Sequence, residues 1–150
     1  MNRFVIFLLI ICTILCTIHI PDVQYYAQDR EGTYYFYTAQ NYDNALCNKV
    51  QNGNGYIISC DIKHAEIVRQ QLNTKLLHGE SFCFVGKSED ITSILNKLNV
   101  IYKSQNDLDI VAYSPQVPYA LTIDNKVYNI QISQNQNNIC VGFPAILGSF

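Results

Sequence analysis

A chain of 150 residues, with 10 Lys and Arg against 12 Asp and Glu and a net charge of −2, holds one domain's worth of hydrophobic core and little room for a second. The mild acidity and the scatter of its cations exclude the charge-driven modes of binding nucleic acid or anionic lipid headgroups, which need concentrated positive charge. Beyond residue 27 the balance is nine Lys and Arg against eleven Asp and Glu, so no basic half is concealed by an acidic one.

The chain opens on RFVIFLLIICTILCTIHIP, residues 3–21. Nothing from Phe4 to Ile18 is charged; Arg3 precedes the run, and Asp22, Asp29 and Glu31 follow it. That polarity keeps the amino terminus cytoplasmic and sends the remainder outward. Residues 1–27 are therefore expected to be a signal peptide or an N-terminal membrane anchor, an apolar helix that enters the membrane through residues 4–20 if uncleaved. Residues 28–150 are expected to form a single α+β extracytoplasmic domain. Tyr25-Tyr26-Ala27 offers a cleavage site only one small residue, which favours retention. Cys12 follows Ile11 and Cys16 follows Leu15, where lipid attachment prefers a small residue.

TYYFYT (33–38) is aromatic and β-branched and predicts a strand. YDNALCNKV (42–50) reads as a short helix capped by Asn41 or Asp43, with Leu46 and Val50 as i, i+4 neighbours. NGNG ends it, and YIISCD (56–61) is the next strand, with Tyr56, Ile58 and Cys60 on one face. Ala65, Val68, Leu72 and Leu76 make one stripe of an amphipathic helix over 62–77. HGE (78–80) breaks that helix, and SFCFV (81–85) forms a strand that buries Phe82 and Phe84. Ser88 caps EDITSILNKLN, whose Glu89 and Asp90 suit the helix dipole and whose Ile91, Ile94, Leu95 and Leu98 line one face.

The pattern then turns to strands. DIVAY (109–113) is short, YALTI and KVYNIQI form a hairpin about Asp124-Asn125, and ICVGF (139–143) returns after the loop QNQNN. Leu121, Ile123, Tyr128, Ile130, Ile132, Ile139, Val141 and Phe143 are expected to face a core, and Thr122, Asn129, Gln131 and Cys140 the opposite, wet face. The fold class is α+β, an antiparallel sheet with two or three helices packed on one face and the N-terminal apolar helix in addition.

The N-terminal signal or anchor, GES (79–81) opening a strand, the helix SEDITSILNKL, and the closing pair VYNIQI and VGFPAILGSF together resemble the YwmB-like family of Firmicutes and related bacteria. The resemblance covers roughly the last two thirds of the chain. It implies a fold like that of the TATA-box-binding protein, a curved antiparallel sheet with helices on its convex side, and no established function. It does not imply DNA binding, because the domain is acidic and exported and lacks a basic concave stripe.

Four cysteines follow the apolar run: Cys47, Cys60, Cys83 and Cys140. Outside the cytoplasm an even number suggests disulfides, with three connectivities open. Cys47 and Cys60 are one candidate pair, and their short loop gives about 3 kcal/mol in the chain-entropy model. Cys83 and Cys140 both point away from the core and are a second candidate pair if their strands are neighbours. Alternatively some of the four are buried small apolar residues. Cys60 and His64 with His78 and Cys83 supply two thiols and two imidazoles, but without the tight knuckles of a structural zinc site. Cys83 with His78 lacks the third group that would orient a nucleophile's base. Glu89 with Asp90, and Asp107 with Asp109, read as helix charge and as a loop poor in cation ligands.

Tyr34 to Tyr37 is core on both faces if its strand is central, and a sticky patch if the strand lies at an edge. The apolar tail either docks against the sheet or is donated to a partner. These readings converge on a non-catalytic binding domain, anchored or secreted, that uses no cofactor or metal. Its candidate surface is Tyr35, Tyr37, Thr122, Asn129 and Gln131, and its partner an unidentified envelope protein or peptide rather than nucleic acid. The alternative is a thiol- or metal-dependent hydrolase built on the cysteines and histidines.

Overall fold

The computed structural model describes residues 23–27, 29–106 and 109–147. The apolar helix expected in residues 4–20 lies outside them. In chain order the described residues form β1 (Gly32–Thr38), β2 (Cys47–Asn52), β3 (Gly55–Asp61), α1 (Ala65–Gln71), β4 (Leu77–Val85) and α2 (Ser88–Lys97). Then come β5 (Tyr102–Gln105), β6 (Asp109–Tyr113), β7 (Leu121–Ile123), β8 (Lys126–Tyr128), β9 (Ile130–Asn135) and β10 (Asn138–Phe143). Eight strands make one sheet in the order β2-β3-β1-β4-β10-β9-β6-β5, every pairing antiparallel, and β7 with β8 forms a separate hairpin. The class is α+β.

Period-two alternation gives this sheet an inner and an outer face. Cross-strand partners carry the inner face from strand to strand: Ile58 and Phe36, Cys60 and Tyr34, Tyr34 and Phe82, Phe82 and Val141, Val141 and Ile132, Ile132 and Ile110. These side chains are buried in one core together with Ala65 and Val68 of α1 and Ile91, Ile94 and Leu95 of α2. The N-terminal turn Val23–Tyr26 adds Val23 and Tyr26 to that core. Arg30 ties it down by stacking 4.1 Å over Phe84 and pairing with Asp90 of α2 at 2.9 Å.

Three elements differ from their sequence reading. Residues 47–52 are strand β2, not the end of a helix, and Leu46 and Val50 are exposed. The Gly-containing turn at 53–54 draws them into a hairpin with β3, which outweighs one i, i+4 pair. HGE lies inside β4, and the preceding helix stops earlier: Leu72 is already extended, and Leu76 is exposed in a 3₁₀ turn. The hairpin at Asp124-Asn125 forms, with both residues at positive φ (49° and 61°), but it stands apart from the main sheet, so Leu121 and Ile123 are exposed rather than core.

The segment 144–147 docks on the sheet. β10 is an interior strand, not one available for donation, and after the cis Phe143-Pro144 peptide residues 144–147 fold back over the outer face. Ser81 holds the fold-back by accepting from Leu147 N–H at 3.0 Å, and Gln131 does so by accepting from Ile146 N–H at 3.1 Å. Gly142 lies beneath, where a Cβ would come within 2.1 Å of the Ala145 carbonyl carbon.

Candidate functional site

Of the residues expected on the outer face, Tyr35, Tyr37 and Gln131 lie there, Tyr35 and Gln131 on one cross-strand row through Ser81 and Gly142, while Thr122 and Asn129 do not. Tyr35 and Tyr37 are half-buried on β1, flanked by β3 and β4, so the strand is interior rather than an edge. Gln131 is occupied by the tail, and Thr122 is exposed on the separate hairpin. Asn129 is no surface residue: it is 1% exposed, accepts from Ser114 N–H at 2.9 Å and donates to the carbonyls of Ser114 and Val117. An amide in a bend between two strands finds buried backbone to satisfy, and here it fastens the turn at 114–117.

The four cysteines among the described residues divide into two pairs. Cys83 and Cys140 are direct partners across β4 and β10 and are joined in a disulfide. Cys83 is thereby removed as a nucleophile, and its would-be base His78 instead packs near the Tyr37 ring. Cys47 and Cys60 are thiols directly opposite one another in β2 and β3. Burial, followed by the neighbouring Cys47 and Asp61, pushes the Cys60 thiol up to about 12, and burial raises Cys47 also. Such thiols are mostly protonated at neutral pH, so neither has the thiolate character of a catalytic nucleophile, and disulfide exchange through them is slow. Among the described residues no group of three or more His, Cys, Asp and Glu is arranged to hold a metal ion.

GES supplies a buried carboxylate held by several donors. Glu80 is fully buried on the inner face of β4, accepts from Tyr34 Oη at 2.6 Å and Tyr119 Oη at 2.5 Å, and pairs with Arg69 of α1. This carboxylate joins β1, β4, α1 and the segment before β7, and its oxygens are committed to those donors.

The open chemistry lies at the β5 edge. α2 ends with Asn99 in the left-handed region (φ 49°), its N–H donating to Asn96 and that of Val100 to Leu95. This C-terminal capping pattern turns the chain sharply out of the helix and into β5. Among the described residues β5 pairs with β6 on one side only, and all four of its residues are exposed. Asn106 N–H donates to the Asp109 carbonyl at 2.8 Å, in register with the β5–β6 ladder. Because bonded pairs alternate in an antiparallel ladder, the N–H and C=O groups of Lys103 and Gln105 face the free side.

Beside that edge runs a cleft of about 510 Å³, lined by Thr92, Leu95 and Asn96 of α2, by Val100 and Ile101 of the connection, and by Lys103. Ile101 is 66% exposed. Tyr102 stacks on Tyr113 (5.5 Å between centroids), meets Tyr128 edge-on and donates to the Val127 carbonyl, which braces β5 from the outer face. Reading the sequence alone missed β5 because YKSQ has no apolar alternation. The available signal was the turn chemistry of QND before the clear strand DIVAY.

Searches against family models, curated proteins and solved structures return no match to this chain.

Proposed function

We propose that the chain is a small non-catalytic binding domain of the bacterial envelope, anchored or released, that takes an extended peptide segment of another envelope protein along β5. The observation that carries this reading is an edge strand, unpaired on one side among the described residues, beside a cleft whose walls mix apolar Leu95, Val100 and Ile101 with polar Thr92, Asn96, Asn99 and Lys103. Strand addition draws affinity from main-chain hydrogen bonds and selectivity from the side chains that enter the adjoining groove. Leu95, Val100 and Ile101 suit an apolar side chain, and Lys103 suits an acidic one. Lys103 also disfavours pairing of two copies edge to edge, since like charges would be brought together. A disulfide between β4 and β10 accords with an oxidising compartment. Among the described residues no helix is long and apolar enough to cross a membrane, so tethering falls to the N-terminal run. The YwmB-like resemblance, with its curved sheet, is part of the same proposal and leaves the ligand open.

The test is selection of peptides from a random library on the full chain, followed by measurement of the winners on Lys103→Pro and Gln51→Pro. Proline at 103 removes one outward N–H at an edge, where proline is tolerated, and position 51 lies on the opposite edge strand β2. Binding is expected to be lost in Lys103→Pro and kept in Gln51→Pro. Equal binding to both variants, each confirmed as folded, would sink the proposal.

A further inference from the structure

Two cysteine pairs lie directly across neighbouring strands. Cys83 and Cys140 are bonded, their Cα atoms 4.1 Å apart. Cys47 and Cys60 hold the same relation across β2 and β3, both as thiols on the inner face. The Cys47 N–H donates to the Asn44 carbonyl at 3.1 Å, outside the ladder. That is the mark of a non-hydrogen-bonded cross-strand pair, whose Cα atoms sit about 4.5 Å apart with side chains at their closest. The spacing falls within the range of about 4.4–6.8 Å that a disulfide bridges.

We propose that Cys47 and Cys60 are the site of a second, exchangeable cross-strand disulfide, installed by a dithiol–disulfide carrier protein, which fastens edge strand β2 to β3 independently of Cys83–Cys140. The chemistry balances in two exchanges. The thiolate of Cys47, the more exposed of the two, attacks one sulfur of the carrier's disulfide; the carrier's other sulfur leaves as a thiolate and takes up a proton. Cys60 then gives up its proton and attacks the Cys47 sulfur of the mixed disulfide, releasing the carrier's second thiolate, which is protonated in turn. Two thiols have been oxidised to one disulfide, and the carrier's disulfide has been reduced to a dithiol.

The two bonds differ in setting. β4 and β10 are each flanked by strands on both sides, whereas β2 is held by β3 alone. Cys47 is half-buried where the sheet ends, within reach of a reductant. A bond on a less restrained, accessible strand is the one reduced first. Its closure fixes the β2 edge, and its opening leaves that edge to the ladder alone.

The experiment equilibrates the full chain in glutathione buffers from reducing to oxidising, traps thiols by alkylation, and quantifies linked peptides by mass spectrometry. The expected result is a Cys47–Cys60 link whose half-oxidation falls at a more oxidising glutathione ratio than that of Cys83–Cys140. It should also form in a Cys83→Ser/Cys140→Ser variant. In Cys47→Ser, Cys60 should stay thiol throughout and resist alkylation until the protein is unfolded. The proposal is overturned if Cys47 and Cys60, alkylated after unfolding, are still thiols at every ratio that closes Cys83–Cys140, if the two bonds share one midpoint, or if Cys47 links to Cys83, Cys140 or a second chain.

Discussion

At the scale of single residues, Glu80 shows how a charge is kept in an apolar core. Its carboxylate is fully buried, and Arg69 together with the hydroxyls of Tyr34 and Tyr119 replaces the water it has lost. Removing one partner of such a pair leaves an uncompensated charge, whereas removing both leaves packing that an apolar pair can fill. Arg69→Ala is therefore expected to lower unfolding stability by about 3–5 kcal/mol, and Arg69→Met with Glu80→Leu by much less. Urea denaturation of the single and double variants measures the difference. Gly142 makes a second residue-scale claim. Since a Cβ there would lie within 2.2 Å of Ala145 and Ile146, Gly142→Ala should release residues 144–147 from Ser81 and Gln131. Carboxypeptidase digestion should then shorten the variant faster than the parent; equal rates would mean that the tail is held some other way.

At the scale of elements, the Cys83–Cys140 bond joins β4 and β10 in the interior of the sheet across a separation of 57 residues. Closing so long a loop restricts the unfolded chain by about 4 kcal/mol in the entropy model. Cys83→Ser/Cys140→Ser should lose stability of that order, read as a lower urea midpoint with a steeper slope, because the unlinked unfolded chain is more open. Elements also show what the sequence made legible. α2 was plain, because Ile91, Ile94, Leu95 and Leu98 give an unmixed helical stripe, and so were β1, β3, β6 and β10, whose alternation or aromatic content matches a half-buried strand. β2 and β5 were not, because edge strands bury little and carry no apolar alternation: CNKVQN and YKSQ are recognised only by their turns and their partners. The β5 cleft therefore left no residue pattern to find. Asn129 misled for a related reason, as a polar side chain within a strand reads as solvent-facing until the buried carbonyls it serves are known.

At the scale of the whole molecule, the N-terminal turn, the core and α2 meet at Arg30 and Asp90. The Lys87 N–H, and then the Arg30 guanidinium, hold the Asp90 carboxyl below its usual range. A carboxyl depressed in the folded state contributes stability that is present above its unfolded pKa of about 3.9 and lost as pH falls through the folded value. Asp90→Asn should therefore narrow the gap in stability between pH 6 and the acid side of that range, measured by thermal unfolding across pH. An unchanged pH profile would remove Asp90 from the account. The envelope location remains a proposal that rests on the polarity of residues 3–31, and the Cys83–Cys140 disulfide accords with it.

The most direct measurement of the central claim, peptide addition at β5, is amide hydrogen exchange, residue by residue, with and without a peptide selected on the full chain. If the peptide adds to β5, Lys103 and Gln105 should slow markedly on binding, while Ser104, already bonded to β6, should change little. Protection that spares 102–105 and appears on β2 or on the outer face would contradict the reading of β5 as the binding edge.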